Sequence, residues 1–453
     1  MHSTPWYTLP AEMKLSVVDH LDLDDVKALA LVNKQAYHLC VPSKFRSVRI
    51  TSLEALQSYL SEVPAAYNQY IHRLYISTKH KNERDLSYSR TAATLAVTQL
   101  LSSCSQVEQL TLSLAGSLTK AVIPCFGKMP YLTNLCINHC GDEQRTPLSE
   151  RLIVSIAAAT PKLSHLSLDR ITRSMMHAPE LVGKPPFIPL VAGDEDIPDH
   201  PVLGSELRLP SLLRIPTLKK LRIRDTHLGD PLWASTTVSC SLEMLDLGSC
   251  YHVSPEFNRT CTERIMGNVG HTVDDFTLSS PLSTKVADYS KDKENPLKRL
   301  RKIHLTPLFP VENIVDTLET FSESPVEQLS VQCHEDDVED FCTALESFLG
   351  RRAQQSENSL FQHLSKIVVD TVSDISDGLF GAFDTATRAA SATATAEADA
   401  PEAVKRLQEL FRQLRLNDAT TGAEPAHCTD GTTKDATIAE SQKPILAVVT
   451  EGI

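Results

Sequence analysis

Leu132-Thr133-Asn134-Leu135-Cys136-Ile137 and Leu163-Ser164-His165-Leu166-Ser167-Leu168 carry one phrase: apolar, two residues of any kind, apolar, one residue, apolar. The last three positions alternate, which is the period of an extended strand with one face buried. The phrase also occurs at Ile71-Leu74-Ile76, Val107-Leu110-Leu112, Leu218-Leu221-Ile223 and Leu242-Leu245-Leu247. It returns at Val273-Phe276-Leu278, Leu300-Ile303-Leu305, Val326-Leu329-Val331 and Leu364-Ile367-Val369, making ten occurrences. Most successive starts lie 24 to 31 residues apart, and three gaps of 36, 55 and 38 are longer.

Helical periodicity fills the intervals. Leu148, Leu152, Ile153 and Ile156 share one face before Pro161, and Val311, Ile314, Val315, Leu318 and Phe321 share another before Pro325. Val338, Phe341, Cys342, Leu345 and Phe348 form a third, with acidic residues in the first turn, where the helix dipole favours them. A unit of one strand and one helix has two apolar faces that it cannot bury alone, so such units stack on their neighbours. This recurrence resembles a leucine-rich repeat. Cys140, eight residues after Leu132, and Cys250, eight after Leu242, fall at that family's polar ladder position. The resemblance implies an α/β chain in which residues 51–371 form a curved, leucine-rich-repeat-like solenoid with irregular repeats.

Residues 170–215 interrupt the period with seven prolines and the acidic run Asp194-Glu195-Asp196. They read as a long insertion loop at the rim of the strand face, either functional or disordered. Residues 372–400 are an Ala/Thr/Ser-rich linker. Residues 401–416 form an amphipathic helix with Val404, Leu407, Leu410, Phe411 and Leu414 on one side. That helix either caps the stacked units or binds a partner. Residues 417–453 are polar and aromatic-free, and read as a disordered tail.

The first fifty residues break into three short helical patterns. Met13, Val17 and Leu21 recur at i, i+4, i+8, Asp22 or Asp24 restarts the chain, and Asn33 is placed to cap a third helix stopping at Pro42. So short a unit buries little by itself and should dock its apolar face on something else. Leu9-Pro10, Glu12, Met13, Val18, Leu21, Asp24-Asp25, Leu29, Val32-Asn33 and Phe45 resemble an F-box. In that family a three-helix module grips the Skp adaptor of a cullin–RING ubiquitin ligase. Carried over residue by residue, the resemblance makes Leu9, Pro10, Glu12, Met13, Val17, Val18, Leu21, Leu29 and Val32 the adaptor-binding set. The chain is then a substrate-recognition subunit whose repeats hold a target protein. The alternative is a leucine-rich-repeat scaffold or interaction protein without a ligase role, its first helices merely capping the array.

The strand phrase also names a target-binding set. Residues flanking the inward apolar pair point to the opposite face, which puts Lys220, Arg222 and Arg224 in one row and Lys302 and His304 in another. Three cations together suit an acidic or phosphorylated segment, whereas an exposed strand face is also plainly solvated.

A formal net charge of −13 argues against nucleic acid as a partner, since such affinity rests on neutralising phosphates. No apolar run is long enough to span a bilayer, and the start of the chain lacks the pattern of a secretory signal, so a cytoplasmic or nuclear protein without a membrane partner is expected. No nucleophile elbow, P-loop, zinc-protease or dinucleotide-binding motif is present, so the expectation is a non-catalytic chain with no cofactor and no metal.

Overall fold

The computed structural model describes residues 6, 9–81, 89–283, 286–289, 297–321, 323–354, 363–372, 402–403, 405–407, 409–410, 412 and 445–450. The chain divides into two compact units. One comprises Met1–Leu242 with Cys250–Ser254, and the other Glu243–Ser249 with Pro255–Ile453.

In the first unit three helices lead into a sheet. Helix α1 (Ala11–Asp19) starts after Pro10, α2 (Leu23–Ala30) is capped by the Asp22 side chain, and α3 (Lys34–Phe45) by that of Asn33. Each cap carboxylate or amide oxygen accepts a hydrogen bond from an amide of the first turn at 2.8 Å. Pro42 lies inside α3 and does not end it. Val18, Val26, Ala30 and Cys40 form a small core with Trp6, Leu21, Leu29 and Tyr37 packed around it. No linker follows. Strand β1 (Ser47–Ile50) begins two residues after α3, and the Arg46 carbonyl accepts hydrogen bonds from the His72 and Arg73 amides at the head of the next strand.

Strands β1, β2 (Arg73–Ser77), β3 (Gln109–Leu114), β4 (Asn134–His139), β5 (His165–Asp169) and β6 (Lys220–Arg224) pair in chain order, all parallel. Their register aligns Leu74, Leu110, Leu135, Leu166 and Leu221 in one buried row, and Ile76, Leu112, Ile137, Leu168 and Ile223 in the next. The recurring phrase is therefore a register code: its second and third apolar residues are the rungs. Helices α4 (Leu53–Glu62, capped by Ser52), α5 (Arg90–Leu101) and α6 (Glu150–Ala159, capped by Ser149) return the chain between strands.

The second unit repeats the logic with β7 (Met244–Leu247), β8 (Asp275–Leu278), β9 (Lys302–Leu305), β10 (Gln328–His334), β11 (Lys366–Val372) and β12 (Ile445–Thr450). These too are parallel and in chain order, with Leu245, Phe276, Ile303, Leu329 and Ile367 in register. Helices α7 (Pro255–Val269), α8 (Ile314–Thr320) and α9 (Val338–Gln354) cover them. From the segment after Pro401, Ala403 and Leu407 are buried and the Arg406 guanidinium lies 3.6 Å from Glu346 of α9, as a covering helix would. Val404, Phe411 and Leu414 lie outside the described residues, as do 373–400 and 417–444. Residues Ile445–Thr450 pair with β11 and so do not belong to a disordered tail.

The fold class expected from the sequence is corrected on this point. The structure is an α/β fold on an all-parallel sheet, and a separate three-helix F-box followed by a curved leucine-rich-repeat-like solenoid is not what it shows. The physical reason lies in the returns. A repeat array needs equivalent units, but β3 to β4 is bridged by a 3-10 turn and a four-residue helix, whereas β4 to β5 uses the ten residues of α6. Between β5 and β6 the chain makes an excursion of about fifty residues (170–219), and the front helices run straight into β1. Six-residue phrases specify which strands are neighbours and leave the rest of each unit free to differ.

Candidate functional site

The nine residues expected to grip an adaptor separate into two groups. Met13 and Val17 on α1 and Val32 after α2 are 54%, 44% and 68% exposed, with Pro10 and Glu12 exposed beside them. Leu31, which sequence reasoning passed over, is the most open at 87%. Val18 is fully buried, and Leu21 and Leu29 pack against the helices' own core, so these three support the face and do not form it. Leu9 is half-buried. The i, i+4 periodicity therefore ran along an outer stripe, with Val18 one position round on the inner one.

The cations expected to face a target are less available than alternation suggested. Lys220, Arg222 and Arg224 do share one face of β6, but Arg222 is buried and both arginines have partners. Asp169 lies opposite Arg224 in register. Burial holds the Asp169 carboxyl above the usual carboxylate range, against the pull of Arg170, Arg222 and Arg224. In the second unit Lys302 is exposed, and the His304 Nε2 lies 3.1 Å from Asp275 Oδ1.

At the ends of β5 and β6 two non-glycine residues adopt the left-handed backbone: Arg170 (φ 55°) and Asp225 (φ 47°). The Arg170 amide donates to the Arg224 carbonyl, and its guanidinium donates to the His139 carbonyl. Nearby, Glu143 Oε2 accepts from the Tyr251 hydroxyl at 2.8 Å and contacts His252 Nε2 at 3.0 Å. Burial, with Asp169 and Glu143 close by, raises the Asp225 carboxyl to about 6, while the Tyr251 amide hydrogen bond opposes the shift. Burial drives the His227 imidazole the other way, to about 4, with Arg173 adding to it.

The most highly ordered polar assembly is one that the sequence did not announce. The insertion after β5 does not hang free: it is pinned to the first turn of α6. Thr172 bridges to Ser149, and the Thr172 and Glu150 backbones exchange hydrogen bonds with Leu148 and Thr172 at 2.8 and 3.0 Å. Asp194, fully buried, accepts from the hydroxyls of Ser149 (2.6 Å) and Ser174 (2.8 Å). Glu150 Oε1 accepts from the Ser174 amide at 2.9 Å and meets His177 Nδ1 at 3.1 Å. The Arg151 guanidinium donates to the carbonyls of Asp194 and Ile197 and lies 3.2 Å from His177 Nε2. His177 thus bridges the two, its Nδ1 toward Glu150 and its Nε2 toward Arg151. Arg173 joins Asp230 at 3.0 Å, both side chains almost wholly buried.

An open cleft of about 390 Å³ lies above this network. Arg151, His177 and Ile197 form its floor, and the carboxylates of Glu195, Asp196, Asp199 and Glu206 its walls. Among the described residues, no group of three or more His, Cys, Asp or Glu side chains is arranged to hold a metal ion. Nor is any helix among them long and apolar enough to cross a membrane. The acidic run was the only sequence signal for this region; Ser149, Arg151 and Ser174 carry no periodicity that could have marked them. No protein-family model matches the chain, and no curated protein matches it.

Proposed function

We propose that this chain is the substrate-recognition subunit of a Skp–cullin–RING ubiquitin ligase, its N-terminal helices binding the Skp adaptor and the rest of the chain holding a target protein. The chain performs no chemical step and works in the cytoplasm or the nucleus. It raises the effective concentration of a target lysine near a ubiquitin-charged enzyme carried by other subunits. One observation carries the reading. The three front helices close a core around Val18, Val26, Ala30 and Cys40, yet leave Met13, Val17, Leu31 and Val32 outside it and exposed. Helices serving only to cap the sheet would turn these residues inward.

Co-expression of the full chain with a Skp adaptor, followed by size-exclusion chromatography, tests it. The wild type is expected to co-elute, and Met13→Asp/Val17→Asp to elute alone. A wild-type chain that never co-elutes overturns the proposal in favour of a scaffold without a ligase role.

A further inference from the structure

The cleft over α6 combines three properties that together select an occupant. It is strongly acidic: four carboxylates line it against one guanidinium. Asp196 has Lys120 at 3.8 Å and Glu206 has Arg208 at 3.2 Å, but among the described residues Glu195 and Asp199 have no ion-pair partner. The guanidinium on the floor is committed to the backbone, since Arg151 donates to the carbonyls of Asp194, Ile197 and Ser205. With His177 Nε2 as a fourth contact, four of its five N–H groups are engaged, which leaves little to offer an anion. Finally, the cleft carries an open apolar side chain: Met176 lines it and is 49% exposed.

We propose that this cleft is the surface on which the target docks, and that its occupant is a partner segment carrying lysine or arginine next to an aliphatic residue. The cation pairs with Glu195 and Asp199, and the aliphatic side chain covers Met176. Buried anchors at Asp194 and Ile197 hold the stretch that carries Glu195, Asp196 and Asp199, so the cleft is formed before the partner arrives, which limits the ordering needed on binding. Complementary charge brings the segment in, and contact with Met176 discriminates among basic segments. The inference rests on the receptor reading only in calling the occupant a target; binding at the cleft is independent of the adaptor.

Fluorescence anisotropy of the full chain with a fluorescein-labelled peptide of alternating lysine and leucine is the test. Lysine–serine and glutamate–leucine peptides of the same length serve as comparisons. The lysine–leucine probe is expected to bind, the glutamate–leucine probe not to bind, and the lysine–serine probe to bind about tenfold more weakly. Glu195→Lys/Asp199→Lys weakens the first probe by about tenfold or more, whereas Glu335→Lys/Asp336→Lys, a charge reversal at exposed residues of the second unit, leaves it within about twofold. Equal loss from both charge reversals, or equal binding of the lysine–leucine probe and either comparison peptide, overturns the proposal. Adaptor co-elution measured on the same variants stays unchanged, so failure at the cleft is distinguishable from failure of the receptor reading.

Discussion

The Ser149 hydroxyl donates to the Asp194 carboxylate across 2.6 Å, joining residues forty-five positions apart in the chain. Ser149 is also the N-cap of α6, its oxygen accepting from the Leu152 amide at 3.3 Å. One hydroxyl thus closes the helix start and fastens the insertion to it. Asp194→Ala strands the Ser149 and Ser174 hydroxyls in a dry site and removes two charge-assisted bonds. The expected loss is about 3 kcal/mol by denaturant unfolding. Limited proteolysis should then cut within residues 175–206 well before it cuts the wild type.

Arg173 and Asp230 present a sharper case, with side chains 1% and 2% exposed and 3.0 Å apart. Removing one partner leaves a charge buried with too little compensation, so Arg173→Met is expected to destabilise the protein by about 3 kcal/mol. Arg173→Met/Asp230→Asn should recover part of that loss, because Asn still offers an oxygen to the Leu232 amide, which Asp230 now serves at 2.9 Å. A double variant no more stable than Arg173→Met contradicts the assignment of the loss to unpaired charge.

Asp225 titrates at about 6 in the fold against an ordinary 3.8, so the fold favours its protonated form. Its stabilising contribution is fully present below about pH 4 and is lost as the pH rises through about 6. Asp225→Asn removes this dependence and suits the left-handed backbone, where Asn is well tolerated. The variant should match the wild type near pH 4 and exceed it by about 1 kcal/mol at pH 7.5, a figure that allows for solvent screening of a partly exposed group. Melting curves at the two pH values measure the difference.

His227 has the opposite sign. Its folded value of about 4 lies below 6.5, so its contribution is present above about pH 6.5 and is lost as the pH falls toward 4. The ring proton signals of His227 should therefore hold their neutral shifts when the pH is lowered to 5.5, as NMR titration would show.

On the front helices, function and stability should separate. Met13→Asp/Val17→Asp alters exposed positions and is expected to change stability by about 0.5 kcal/mol or less. Val18→Ala opens the small core and should lower stability by about 1–2 kcal/mol. Unfolding curves for both, set beside adaptor co-elution, distinguish a binding face from a supporting one.

How much of this was legible in the chain follows from what periodicity can encode. Ten phrases located ten strands, and the register makes Leu74, Leu110, Leu135, Leu166 and Leu221 rungs of one ladder. The restart at Asp22 (with Asp24 as the alternative) and the cap at Asn33 were readable because capping is a local bargain between a side chain and the next turn. Strand β1 was missed because Val48 and Ile50 are its only apolar residues. Alternation correctly set Arg222 on the face opposite Leu221 but did not reveal that this face is covered there. The clamp on the insertion stayed hidden because its members are polar, few and far apart in sequence. The fold class failed for a related reason: a six-residue pattern is silent about the residues that bring the chain back to its start.

Because the insertion shields Glu150 and Arg151 from water, it is a roof whose removal would leave charged groups under no shelter. Shortening it to an ordinary turn therefore cannot be a neutral trim. The start of α6 and the forty-odd residues above it must change together, and any variant that loses one is expected to need a new first turn for the other.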